Sequence, residues 1–130
     1  MPDEQPIKVL VVDDSESMRI SLHALLGVFA DLRWIGESSD GHDILEQCER
    51  LQPHVVLIDV ALPHIDVPHT IRVIRERFPL LQVIGITGFE DKRSIDKILE
   101  AGAVLCLPKN ANVLLIANAV RQVVQLAGSL

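Results

Sequence analysis

Tyrosine is missing from this 130-residue chain, and aromatic residues are scarce, with one Trp and three Phe. Aliphatic side chains must therefore build the core. Long apolar runs are also missing. No stretch reaches the about 18 apolar residues of a membrane span. Basic residues are outnumbered, 12 Lys and Arg against 18 Asp and Glu, for a net charge of −6. That balance argues against nucleic acid as a direct partner. Only two cysteines occur, Cys48 and Cys106, and they form no CxxC pair. They read as two reduced cytosolic thiols, which places the chain in the cytoplasm. The polar start, Met1–Lys8, carries two prolines and is not a signal peptide.

What is present is an alternation. Ile7–Val12 reads as a buried strand, being nearly continuous in Ile, Val and Leu. Ser15 offers an N-cap, and Met18, Leu22, Leu25 and Leu26 repeat at helical spacing up to Gly27. Leu32–Glu37 is a second strand. Ser39-Asp40-Gly41 is a turn before a helix striped by Ile44, Leu45, Cys48 and Leu51, which Pro53 stops. Val55–Ile58 is a third strand. Pro68 opens a third helix and Pro79 closes it, with Ile71, Ile74 and Phe78 inward and Arg75 at the border. Gln82–Ile86 is a fourth strand. Ser94–Ala101 is a helix ended by Gly102. Val104–Leu107 is a fifth strand, and Ala111–Leu126 is the last helix. Five strands alternating with five helices imply an α/β fold: a five-stranded parallel sheet with helices on both faces. Residues 1–130 read as a single domain with a core of about 7–126, leaving no room for a second domain.

Four of the strands lead into residues that can handle phosphate or metal. Asp13 and Asp14 follow the first, Asp59 the third, Thr87 the fourth, and Lys109 the fifth. In open α/β sheets, ligands sit outside the carboxyl ends of the strands, where strand order reverses. Three carboxylates together repel unless a hard cation relieves them, and Mg²⁺ favours such oxygen ligands. One carboxylate could then act as a nucleophile toward phosphorus. Lys109 can neutralise phosphoryl oxygens and Thr87 can hydrogen-bond to one. Singly, each residue has an ordinary reading as a cap, a strand end or a surface charge. Their joint placement favours the functional one. The five histidines, His23, His42, His54, His64 and His69, have no metal-ligand spacing.

Val9-Leu10-Val11-Val12-Asp13-Asp14-Ser15 resembles the opening of a response-regulator receiver domain. Val56 to Pro63 resembles the segment around its phosphoacceptor aspartate, and Ile86-Thr87-Gly88 and Leu107-Pro108-Lys109 resemble its other two motifs. The likeness runs from Ile7 to Gln125. It implies a flavodoxin-like fold of receiver type. It also implies Asp59 as phosphoacceptor, Asp13, Asp14, Asp59 and the Ala61 carbonyl as ligands of Mg²⁺, and Thr87 and Lys109 as contacts to the phosphoryl group. The implied partner is a histidine kinase, and the implied activity is a signalling switch rather than a turnover enzyme.

Gly36 to Gly41, Thr87 to Asp91 and Ala101-Gly102-Ala103 resemble receivers of LuxR-type transcription regulators. Those carry a C-terminal DNA-binding domain, so the chain is either an excised receiver or a stand-alone one. A phosphorylation-independent module that dimerises on the same fold is an alternative, as is an aspartyl phosphatase. That class needs a general acid two residues past the nucleophile, where this chain has Ala61.

Three departures from the family pattern stand out. Val67 and Pro68 stand where Gly often follows the loop Asp, and Leu62 replaces the usual Met. Cys106 replaces an aromatic whose rotation accompanies activation. Its strand position predicts a buried, inert thiol, with signalling shifted to the loop holding Phe89. Ala61 and Phe89 are expected to flank the phosphoryl group and to leave it long-lived. In the last helix, Val113, Ile116, Ala117, Val120, Val123 and Val124 are expected on the sheet. Leu115 and Leu126 lie opposite, where a dimer or output contact could form.

Overall fold

Alternate residues of each central strand face opposite ways, and both sides are apolar. In the computed structural model, which describes residues 5–88 and 92–128, this yields two cores separated by one sheet. Five parallel strands, β1 (Ile7–Val12), β2 (Leu32–Ser38), β3 (Val55–Asp59), β4 (Gln82–Thr87) and β5 (Leu105–Pro108), lie in the order β2-β1-β3-β4-β5. The helices are α1 (Glu16–Val28), α2 (Ile44–Leu51), α3 (Val67–Arg77), α4 (Lys92–Ala101) and α5 (Val113–Gly128). Val9, Val11, Val55, Leu57, Ile84 and Ile86 pack against Leu22 and Leu26 of α1 and Ile116, Val120 and Val123 of α5. Leu10, Val12, Val56, Ile58 and Val83 pack against Ile44, Ile71, Ile74 and Ile98 of α2, α3 and α4. Each such aliphatic side chain contributes roughly 1.5–3 kcal/mol by leaving water.

The helix boundaries follow local chemistry. Ser15 Oγ accepts from the Met18 N–H at 3.2 Å, capping α1 as expected. Asp66 does the same for α3 through the His69 N–H, and Pro68 sits in the first turn, where its missing N–H costs nothing. Gln52 closes α2 at φ 50°, because Pro53 excludes the helical region for the residue before it. Gly102 closes α4 at φ +125°, and a Cβ there would meet Arg75 Cγ at 2.7 Å.

Several expectations shift by a residue or two. β3 includes Asp59, so the carboxylate sits in the strand. α4 begins at Lys92, two residues before Ser94. β5 runs to Pro108, which an edge strand tolerates. The inward stripe of α5 needs one correction. Val113 is 43% exposed, whereas Ala119 is buried. Val113, Leu114 and Leu115 form an exposed first turn, and packing on the sheet begins at Ile116. Leu115 and Leu126 are exposed, as expected. No helix among the described residues is long and apolar enough to cross a membrane.

Candidate functional site

The order in which the chain adds strands reverses between the parallel neighbours β1 and β3: β1 leads outward to β2, and β3 leads outward to β4 and β5. Asp13 follows β1 and Asp59 ends β3, so the two flank this switch point. Both are buried, at 1% and 2% exposure, whereas Asp14 is exposed. One carboxylate oxygen from each of the three lies within 4.8 Å of the others.

Backbone donors orient the two buried carboxylates. Asp13 Oδ1 accepts from the Ser15 N–H at 2.9 Å. Asp59 Oδ1 accepts from the Ala61 N–H at 2.9 Å. Their second oxygens turn toward Lys109, whose Nζ donates to Asp59 Oδ2 at 3.2 Å and lies 3.5 Å from Asp13 Oδ2. The longer contact is an ion pair at the limit of hydrogen-bond distance, which leaves the buried Asp13 Oδ2 without a close hydrogen bond among the described residues. The Lys109 N–H donates to the Thr87 carbonyl at 2.7 Å, which holds the β5 end beside β4.

The electrostatics follow from burial and crowding. Burial pushes the Asp13 carboxyl above its ordinary value. The Ser15 N–H opposes this, Asp59 adds to it, and Lys109 opposes it. Burial pulls Lys109 down, but the charges of Asp13 and Asp59 outweigh it and leave the ammonium above its ordinary value. One ammonium thus serves two buried carboxylates, with a third carboxylate alongside. The donors are all oxygen, one buried oxygen lacks a hydrogen bond, and negative charge exceeds positive. This set fits a hard divalent cation.

The structure brings together Asp13, Asp14, Asp59 and Lys109, as the sequence predicts. Thr87 ends β4 one residue past Ile86, the register partner of Asp59, and is half-buried. Phe89 lies outside the described residues. Cys48 is buried, and burial pushes its thiol up to about 12. Cys106 is only half-buried, because β5 is an edge strand. Burial still pushes its thiol above the ordinary value. Arg19 was not legible as a site residue: its Nη1 donates to the Asp13 carbonyl at 2.8 Å. Its place six residues past Asp13 carries no recognisable signal. The site is an open edge. The apolar groove of about 390 Å³ lined by Cys48, Phe78 and Leu80 lies at the opposite end, beside the starts of β3 and β4.

Residues 9–121 match the family model described as the response regulator receiver domain. The response regulator protein VraR of Staphylococcus saprophyticus is 28% identical over 117 residues, covering 90% of this chain and 56% of that protein. A protein-glutamate methylesterase/protein-glutamine glutaminase of Geobacter metallireducens is 37% identical over 105 residues, which are 79% of this chain and 30% of the enzyme. The chain therefore spans about half or less of these relatives. Among solved structures, the response regulator domain of Thermotoga maritima CheB superposes with a TM-score of 0.83 at 25% identity, covering 93% of this chain and 98% of that one. The receiver domain of the putative response regulator NarL from Mycobacterium tuberculosis gives 0.86 at 24% identity, covering 94% and 98%.

Proposed function

The chain belongs to the response-regulator receiver domain family, and from that premise we propose that it is a phosphorylation-driven switch with Asp59 as phosphoacceptor. The observation that carries the reading is the buried Asp59 carboxylate, fixed by the Ala61 N–H and paired with Lys109 at 3.2 Å beside two further carboxylates. A carboxylate so placed can attack phosphorus. In the transfer, the phosphorus–nitrogen bond of a phosphohistidine on a partner kinase breaks. A phosphorus–oxygen bond to Asp59 forms, and the released imidazole takes up a proton. The product is an acyl phosphate on this chain.

Asp13, Asp14, Asp59 and the Ala61 carbonyl would hold Mg²⁺. When bound, the ion supplies positive charge to the carboxylates and to phosphoryl oxygens. Lys109 then exchanges its contact with Asp59 Oδ2 for a phosphoryl oxygen, and the Thr87 hydroxyl donates to another. Thr87 ends β4 and Lys109 follows the neighbouring β5, joined by the Lys109 N–H to Thr87 C=O bond, so their movement biases the surface of β4, β5 and α4. Ala61 has no proton to give to a leaving group, which favours a long-lived switch over a phosphatase. The methylesterase match covers 30% of that enzyme and lends no support to turnover chemistry here.

The resemblance of Gly36 to Gly41 and Ala101-Gly102-Ala103 to receivers of LuxR-type transcription regulators supports a transcriptional setting, with DNA binding supplied outside these residues. The exposed Leu115 and Leu126 of α5 would then contribute to a dimer or output contact.

The test is incubation with a small phosphodonor, with Mg²⁺ or with a chelator, beside Asp59→Asn. Uptake is expected only for the unaltered chain with Mg²⁺. Equal uptake by Asp59→Asn removes Asp59 from the role.

A further inference from the structure

The peptide units on both sides of Asp13 are tied to the end of β2. The Asp13 N–H donates to the Ser38 carbonyl at 3.0 Å. The Asp13 carbonyl accepts from Arg19 Nη1 at 2.8 Å, and Arg19 Nε donates to Glu37 Oε1 at 3.2 Å. Glu37 and Ser38 are the last two residues of β2, so these bonds close a ring from Asp13 through Arg19 and Glu37 back to Asp13. The Arg19 bond to the Asp13 carbonyl is partly buried, whereas its bond to Glu37, whose side chain is 41% exposed, lies at the surface.

The ring is set by the register of the sheet. Val9 pairs with Trp34, but Leu10 pairs with Gly36, so one extra residue of β2 is accommodated between them. That shift places Glu37 opposite Val11 and Ser38 opposite Val12, beside Asp13. Gln47 Nε2 donates to the Glu37 carbonyl at 2.9 Å and to Asp43 Oδ2 at 2.7 Å, anchoring the ring to α2.

Asp13 needs such holding. Its Oδ1 is committed to the Ser15 N–H, and its Oδ2 accepts no hydrogen bond among the described residues. Beyond the ion pair to Lys109 at 3.5 Å, the direction of Oδ2 depends on the backbone at Asp13, which repulsion from Asp59 would otherwise displace. A guanidinium can serve two acceptors in fixed geometry, here the Asp13 carbonyl and the Glu37 carboxylate.

We propose that Arg19 is a positioning residue for the cation site, holding the Asp13 backbone so that Oδ2 stays presented to the ion. This rests on the reading of Asp13, Asp14 and Asp59 as that site. A mere staple between α1 and β2 would alter stability alone.

The experiment measures Mg²⁺ binding by calorimetry for the unaltered chain, Arg19→Gln and Arg19→Lys, with amide exchange at Asp13 followed without metal. Arg19→Gln should weaken Mg²⁺ about tenfold, in the range of groups that orient metal ligands. It should also speed exchange of the Asp13 amide while Val9–Val11 stay protected. Arg19→Lys, whose ammonium cannot hold both acceptors in that fork, should fall between. Mg²⁺ affinity of Arg19→Gln equal to that of the unaltered chain overturns the inference. Should Arg19→Gln fail to fold, Glu37→Ala carries the test. It removes the acceptor that anchors Arg19 Nε, and unchanged affinity overturns the inference equally. An unaltered chain that binds no Mg²⁺ overturns the cation-site reading itself, and this inference with it.

Discussion

The Lys109 ammonium stands 3.2 Å from the Asp59 carboxylate, fifty residues away in sequence, and is shared with Asp13 at 3.5 Å. One cation between two buried carboxylates leaves a net negative charge. The fold holds this site together against repulsion, and a cation or a change in Lys109 should shift both stability and chemistry.

Lys109→Met should therefore lower the thermal midpoint of the metal-free protein. Removing one partner of a buried ion pair costs about 3–5 kcal/mol. The Lys109 side chain is 31% exposed, so solvent screening reduces the expected loss to roughly 1–2 kcal/mol. Mg²⁺ should stabilise the variant more than the unaltered chain. Thermal denaturation with and without Mg²⁺ measures both, and equal stabilisation would sink the shared-charge account.

Ala61 lies two residues past Asp59 and offers the site no polar side chain. The acyl phosphate should accordingly persist. Ala61→Asn, which can orient a water, should shorten its lifetime by roughly tenfold, below the usual contribution of a well-placed proton-transfer group. The decay rate at neutral pH is the measurement, and identical lifetimes would contradict the role given to Ala61.

At the opposite end of the sheet, His54 Nδ1 accepts from the Lys8 N–H at 2.9 Å, which requires a neutral ring. Burial and then the Lys8 charge hold His54 below its ordinary 6.5. The folded chain thus binds fewer protons here than the unfolded chain. This stabilisation is complete above the ordinary value and is lost as pH falls below it. The thermal midpoint should fall from about pH 7.5 to about pH 5.5. In His54→Asn an amide oxygen replaces Nδ1 and cannot be protonated, so that variant should show a smaller fall. An equal fall in both would assign the effect elsewhere.

Gly85 and Cys106 are register partners on β4 and β5, and both leave room for α4. A Cβ on Gly85 would lie 2.3 Å from Ile98 Cδ1 and 3.4 Å from Cys106 Sγ. Gly85→Ala should cost about 1–3 kcal/mol by overpacking, and Ile98→Val should recover part of it. Denaturant unfolding of the single and double variants gives the coupling. Additive losses would rule out a direct contact.

The sequence disclosed the fold because its signals are local and agree with one another. Ser15 starts a helix through its side-chain cap, and Pro53, Pro68 and Gly102 end or start helices through their backbones. The continuous aliphatic strands admit only a sheet covered on both faces. Asp13, Asp14, Asp59 and Lys109 were legible because each follows or ends a strand whose position topology dictates. The ring through Arg19 was not, since it depends on the register shift at Val9/Leu10. The exposure of Val113 escaped for a related reason: helical periodicity gives a face, but not where along the helix packing begins. The half-buried Cys106 reflects edge position, which strand pattern alone does not reveal.

The most direct measurement is the location of the phosphoryl group. After incubation with a small phosphodonor and Mg²⁺, hydride reduction of the acyl phosphate converts the modified aspartate to homoserine, which peptide mass spectrometry locates. Conversion is expected at Asp59 alone. Conversion at Asp13 or Asp14, or uptake with no change at Asp59, would contradict the reading of Asp59 as phosphoacceptor.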